Sequence, residues 1–267
     1  NHAIEHFPKE QHIAFSQDPA VYELLWRMRK DTFPAVGAVR ENGTTVIIED
    51  VTFPLEHLAA GVNRLLALLD EYHYDEAVLF GHALEGNLHF VFTQRFDQPE
   101  EVARYSAFMQ AVSQLVAVEF GGSLKAEHGT GRNMAPFVEL EWGSDAYQLM
   151  WQIKRLLDPQ GILNPDVVLS DDPEIHLKNL KPMPEANPLI DKCIECGFCE
   201  PVCPAHGLTL SPRQRIVAWR DIQQKQRNGI DTTELEQRYQ YHGIDTCAAT
   251  GLCAQCCPVW INTGDLV

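Results

Sequence analysis

Residues 77–93 read AVLFGHALEGNLHFVFT, two short runs of strand-forming residues broken at Glu85-Gly86-Asn87. This pattern predicts a hairpin, with strands over Ala77–Gly81 and Leu88–Thr93 and a tight turn between them. The fold-back brings His82 and His89 together, although they are seven residues apart in the chain (89 − 82 = 7). On the N-terminal side, Thr44–Val51 (TTVIIEDV) is β-branched and short, which predicts a third strand. Helices are expected on either side of it. One runs from Asp18 to Lys30, with Val21, Leu24, Leu25 and Met28 at helical spacing and Pro19 in the first turn; the other runs from Pro54 to Tyr72. C-terminal to the hairpin come a helix over Glu100–Phe120, a glycine-rich loop over Gly121–Arg132 and a helix over Ser144–Leu157. Strands and helices in this order predict an α+β fold, an antiparallel sheet with helices packed on it.

From Ser170 to Pro188 the text changes to SDDPEIHLKNLKPMPEANP, with four prolines and few large apolar residues. It reads as a linker across the surface. Two domains are expected, over 1–178 and 179–267, the second small and all-helical. Its main helix begins at Ser211-Pro212, with serine as the cap and proline in the first position, and reaches Arg227.

All eight cysteines lie beyond residue 190. Clustering of this kind points to metal and not to a disulfide framework. Cys193, Cys196, Cys199 and Cys203 follow the order C-x2-C-x2-C-x3-C and run into Pro204. In two-cluster iron–sulfur proteins three such thiolates hold one cluster, and the fourth turns away to the other. The second motif is Cys247-x5-Cys253-x3-Cys257-Pro258. When it is laid over the first, Thr250 falls where a cysteine is expected, and Cys256 is a spare thiol. Crossing the fourth ligands assigns Cys193, Cys196, Cys199 and Cys257 to a 4Fe-4S cluster. Cys247, Cys253 and Cys203 are left for a 3Fe-4S or 4Fe-4S cluster. Structural zinc is the competing reading, although zinc sites usually pair two C-x2-C knuckles.

The formal charge of −16 argues against a nucleic-acid partner. No apolar run approaches the ~20 residues of a membrane span. A cytoplasmic protein, or one held peripherally at a membrane by a partner, is the expectation. The chain begins at Asn1 without an initiator methionine and ends just after a cysteine motif, which reads as part of a longer polypeptide.

His82, His89 and Glu127, the last in the glycine-rich loop, make a three-ligand set for a divalent metal (Zn, Mn or Fe) with open positions. A histidine in a core strand is more often a hydrogen-bonded structural residue, and spacing alone leaves both readings open.

Three strings, GHALEGNLHF (81–90), GGSLKAEHGTGR (121–132) and IKRLLDPQGILNPDVVL (153–169), resemble the C-terminal half of the FAD-linked oxidases. These enzymes oxidise D-2-hydroxy acids and include the D-lactate, glycolate and D-2-hydroxyglutarate dehydrogenases. The order of the strings, followed by the cysteines, is most similar to the fused members that continue into a ferredoxin domain. The cysteine region itself resembles the α-helical ferredoxin domains of succinate dehydrogenase and fumarate reductase iron–sulfur subunits, where the same second motif accompanies a three-iron cluster.

The resemblance implies that His82, His89 and Glu127 ligate the metal and that His128 takes the substrate hydroxyl proton. It implies that Arg29 clamps the substrate carboxylate, and that Asn87 and Asn164 lie near flavin and substrate. It also implies FAD held mostly by a preceding domain, a small 2-hydroxy-acid substrate, and a quinone or carrier protein as electron acceptor. The chain departs from the family pattern in the turn, Ala83-Leu84-Glu85-Gly86-Asn87. It departs again at Ile48, which stands ahead of Glu49-Asp50 where the D-2-hydroxyglutarate enzymes carry lysine. A different class of reading is a non-catalytic electron-transfer module that docks a separate flavoprotein.

Overall fold

The computed structural model describes residues 16–267, the side chains of residues 31–35 and 38 excepted. The first helix, α1 (Pro19–Val39), starts where Asp18 accepts the Ala20 N–H (2.9 Å). It continues nine residues beyond the expected end at Lys30 (39 − 30 = 9). The extension has a tertiary cause that local periodicity does not record. Val36 is buried, and Gly37 lies so close to the Ile194 side chain that a Cβ would collide with it.

The sheet has three antiparallel strands, β1 (Thr45–Thr52), β2 (Val78–His82) and β3 (Asn87–Gln94), in the order β1-β3-β2. Every residue of the central strand is buried. Alternation sends Leu88, Phe90 and Phe92 into the main core. There they meet α2 (Leu58–Glu71) and α3 (Pro99–Ser113) through Leu65, Leu69, Phe108 and Met109. The register pairs His89 with Asp50 on one side and with Phe80 on the other. One row across the sheet therefore carries Asp50, His89 and Phe80.

The hairpin connection differs from a tight Glu85-Gly86-Asn87 turn. Residues 83–85 form a 3-10 turn, Gly86 takes φ 67°, and Asn87 already belongs to β3, paired with His82. The cause is a close approach: Phe53 N donates to Gly86 O (2.9 Å), and a Cβ at Gly86 would strike the Phe53 carbonyl.

The long helix at α3 loosens into a π-helical turn over Gln114–Glu119. Ser123 then exchanges two backbone hydrogen bonds with Thr52 (both 2.9 Å), which pins the glycine-rich loop over the end of β1. Short helices α4 (Gly131–Met134) and α5 (Val138–Trp142) and the longer α6 (Ser144–Leu157) follow.

Residues 170–188 are a strap and not a solvated linker. Their few apolar residues are pressed inward, Ile175 and Met183 being buried, and Tyr147 donates to Ser170 O (3.0 Å). Beyond the strap, α7 (Pro212–Arg227) begins with a reciprocal capping box between Ser211 and Gln214. It is followed by α8 (Thr233–Tyr239) and α9 (Leu252–Cys256). This region has its own small core of Ile190, Ile216 and Ile261, against which Cys193 and Cys257 pack. A core this small ordinarily needs a metal or disulfide staple.

Candidate metal centre and cysteine cavities

The hairpin and the glycine-rich loop meet over the Asp50–His89–Phe80 row. Glu127 Oε1 stands 2.7 Å from His89 Nε2 and 3.6 Å from His82 Nε2. One ligand atom from each of the three residues lies within 4.8 Å of the others. His89 is 2% exposed, yet neither of its ring nitrogens makes a hydrogen bond of acceptable geometry. A buried imidazole normally finds such a partner, so this orphaned pair beside a carboxylate fits a metal ligand better than a structural histidine. Burial pushes the His89 pKa below its ordinary value, which favours the neutral, coordinating form.

Asp50 holds the loop in place. Its Oδ2 accepts the consecutive backbone N–H groups of Ala126 (3.0 Å), Glu127 (2.6 Å) and His128 (3.2 Å). Its Oδ1 faces His128 Nδ1 at 3.3 Å and Lys125 Nζ at 3.5 Å. Burial alone would raise this carboxyl, but the Glu127 N–H and the Lys125 and His128 charges outweigh it and hold the pKa below the usual carboxylate range. Lys125 also pairs with Glu49, which accepts from Asn133 in turn. Burial keeps the Glu49 carboxyl above its usual range despite Lys125. A lysine thus reaches this end of β1 from the loop, although Ile48 stands at the strand position.

His128 stacks on His89 with ring centroids 4.9 Å apart. Arg29, on α1, lies over the Phe80 ring at 4.9 Å, and Phe80 in turn packs 5.3 Å from His89. The structure therefore gathers His82, His89, Glu127, His128 and Arg29 around one row of the sheet. Asn87 is buried beside His82 with its Oδ1 unpartnered. Asn164 is not part of this group: it is exposed at φ 49° in the loop after α6 and makes no side-chain hydrogen bond to the site.

The cysteines line two cavities. Cys193, Cys196, Cys199 and Cys257 share one, with Ile216, Ile261 and Pro258 in its wall. Cys203, Cys247 and Cys253 share the other with Thr250 and Arg215. The last cysteine of each motif, Cys203 or Cys257, thus lines the cavity of the other set. Burial and the neighbouring Cys193, Cys257 and Cys196 push the Cys199 thiol up to about 12. Cys256 is exposed and lines neither cavity.

The profile of the FAD linked oxidases, C-terminal domain, matches residues 3–168, more than half of the chain. The chain belongs to the FAD-linked oxidase family. A second match, to the 4Fe-4S dicluster domain, covers residues 189–261. The chain is 32% identical over 139 residues to the glycolate oxidase subunit GlcD of Bacillus subtilis, covering 52% of this chain and 29% of that protein. It is 33% identical over 154 residues to the mitochondrial D-lactate dehydrogenase [cytochrome] of Arabidopsis thaliana, covering 57% and 26%. A mitochondrial D-2-hydroxyglutarate dehydrogenase described as probable, from Oryza sativa subsp. indica, is 30% identical over 157 residues, covering 58% and 26%. The chain spans under a third of the length of each of these relatives. Among the described residues no helix is long and apolar enough to cross a membrane.

Asp50, Lys125 and Glu49, which tie the glycine-rich loop to β1, are residues of this group that the sequence left unassigned. The only signal was two adjacent acids, Glu49 and Asp50, in an otherwise β-branched strand.

Proposed function

We propose that this FAD-linked oxidase is the substrate-binding and electron-exit portion of a dehydrogenase that oxidises a D-2-hydroxy acid to the 2-oxo acid. The observation that carries this reading is the convergence of His82, His89 and Glu127, with His128 and Arg29 alongside. A divalent metal on the triad would polarise the substrate hydroxyl, and FAD, held mostly by another segment, would accept the hydride. Arg29 binds the carboxylate, for which a guanidinium is suited by shape and charge. His128, oriented by Asp50 at Nδ1, takes the hydroxyl proton. Lys125 and Asp50 keep the loop that carries Glu127 and His128 closed on the sheet.

The exposed apolar residues of α6, Leu149, Ile153, Leu156 and Leu157, fit a face covered by the flavin-bearing segment. Residues 1–178 form the catalytic unit and 179–267 the cluster unit, which passes electrons singly to a quinone or carrier protein. The second cluster is a three-iron one, a reading supported by Thr250 in its cavity wall and by the exposure of Cys256.

The test is a set of alanine variants of the complete polypeptide. His82→Ala and His89→Ala are expected to lose the bound divalent metal and most of kcat with the fold intact. His128→Ala is expected to keep the metal and lose roughly 10²–10⁴-fold in kcat. Unchanged turnover in both ligand variants would contradict the metal site, and loss of metal in His128→Ala would exchange the roles of ligand and base.

A further inference from the structure

Arg215, on α7, is 1% exposed, and among the described residues no carboxylate lies within ion-pair distance of it. Its Nε donates to Gly243 O (2.7 Å), its Nη1 reaches Cys203 Sγ at 3.7 Å, and its Nη2 has no partner. Its neighbours on α7 are neutralised differently: Arg220 pairs with Glu195 (3.1 Å) and Arg213 with Glu200 (3.1 Å). Arg40, which also lacks a carboxylate, has both terminal nitrogens on backbone carbonyls. A guanidinium stays charged at any accessible pH, and burying it without a counter-charge is costly. The cavity beside it is lined by Cys203, Cys247 and Cys253, whose thiolates, holding a cluster, would supply the counter-charge.

We propose that Arg215 is the counter-charge of the cluster held by Cys203, Cys247 and Cys253, and that it raises the reduction potential of that cluster. The inference rests on reading the cysteines as cluster ligands. When the cluster takes up one electron no bond is made or broken, and its net negative charge grows by one. A fixed cation in a low-dielectric setting, hydrogen-bonded to a ligating sulfur, stabilises the reduced state more than the oxidised one. Among the described residues no guanidinium donates to the sulfurs of Cys193, Cys196, Cys199 and Cys257, and the arginines beside that set, Arg213 and Arg220, are paired with Glu200 and Glu195. There Cys193 Sγ accepts the neutral Glu195 backbone N–H (3.4 Å).

The experiment is a mediator-poised redox titration of the anaerobically prepared complete polypeptide, each cluster followed by its own EPR signal, with iron content measured in parallel. Arg215→Gln is expected to make reduction of this cluster at least tenfold less favourable, a downward shift of about 59 mV for one electron. The other cluster should stay where it was. Arg215→Lys, which keeps the charge, is expected to retain most of the wild-type potential. An unchanged potential in an iron-replete Arg215→Gln variant overturns the proposal, as does an equal shift of both clusters. If the glutamine variant does not load this cluster, the lysine variant decides. Lysine that loads it at near wild-type potential supports the proposal, and lysine that loads it at a potential tenfold less favourable overturns it. Failure of both to load makes Arg215 an assembly residue and likewise overturns it. A wild-type protein without iron would instead overturn the reading of the cysteines.

Discussion

Asp50 shows how one buried carboxylate sets the chemistry of a loop 76 residues away in sequence (126 − 50 = 76). It accepts three successive backbone N–H groups and faces the His128 ring. Groups that orient metal ligands in this way typically contribute 10–100-fold to metal affinity. Asp50→Asn is therefore expected to weaken divalent-metal binding about 10–100-fold while the far-ultraviolet circular dichroism stays unchanged, measured by metal titration of the complete protein. Unaltered affinity would reduce Asp50 to a structural anchor. Nothing local in TTVIIEDV marks this role, because it exists only once the 121–132 loop has folded over β1. His82 and His89, by contrast, were legible, since a short hairpin must bring its flanking residues together. At the second cluster the decisive residues are Thr250, which lines the cavity, and Cys256, which does not. Cys256→Ser is expected to leave the iron content of the anaerobic protein unchanged; loss of one iron would identify Cys256 as a fourth ligand.

At the scale of elements, the end of α1 and the first cysteine loop are tied together. Arg40 donates to Asp191 O (2.6 Å) and Cys193 O (3.1 Å), and Arg220 donates to the same two carbonyls (3.3 and 3.0 Å). Lys192 returns a hydrogen bond to Arg40 O (2.6 Å). The two regions recognised in the sequence are therefore joined through a buried arginine pair, with Glu195 beside Arg220 as a neutralising charge. Arg40→Ala leaves buried carbonyls with fewer donors, at a cost of about 1–3 kcal/mol. Hydrogen exchange over residues 190–195 should accelerate, and iron should leave the first cluster sooner; exchange identical to wild type would show that Arg220 alone suffices. Arginine in a sequence usually reads as surface, and burial of this kind is decided by the partner element. The same limit explains why α1 outran its expected end and why residues 170–188 are strapped down: both depend on contacts with distant residues, Ile194 for α1 and Gly43 for Met183.

At the scale of the whole molecule, the sheet presents a candidate metal site at one end while two thiol-lined cavities sit on a separate small core. Order and composition made this architecture legible: β-branched runs gave the strands, the Ser211-Pro212 cap gave the start of α7, and the cysteine spacing identified the cluster region. The chain spans under a third of the length of the relatives it matches, so the proposed turnover is tested on the complete polypeptide. In the proposed reaction electrons pass from a D-2-hydroxy acid to flavin and on to the clusters. The most direct measurement mixes the anaerobic, oxidised, flavin- and iron-replete protein with D-lactate, glycolate or D-2-hydroxyglutarate and follows flavin absorbance and freeze-quenched EPR together. At least one of these acids is expected to bleach the flavin and then alter the cluster signals. Flavin and clusters that remain fully oxidised with every acid would contradict it.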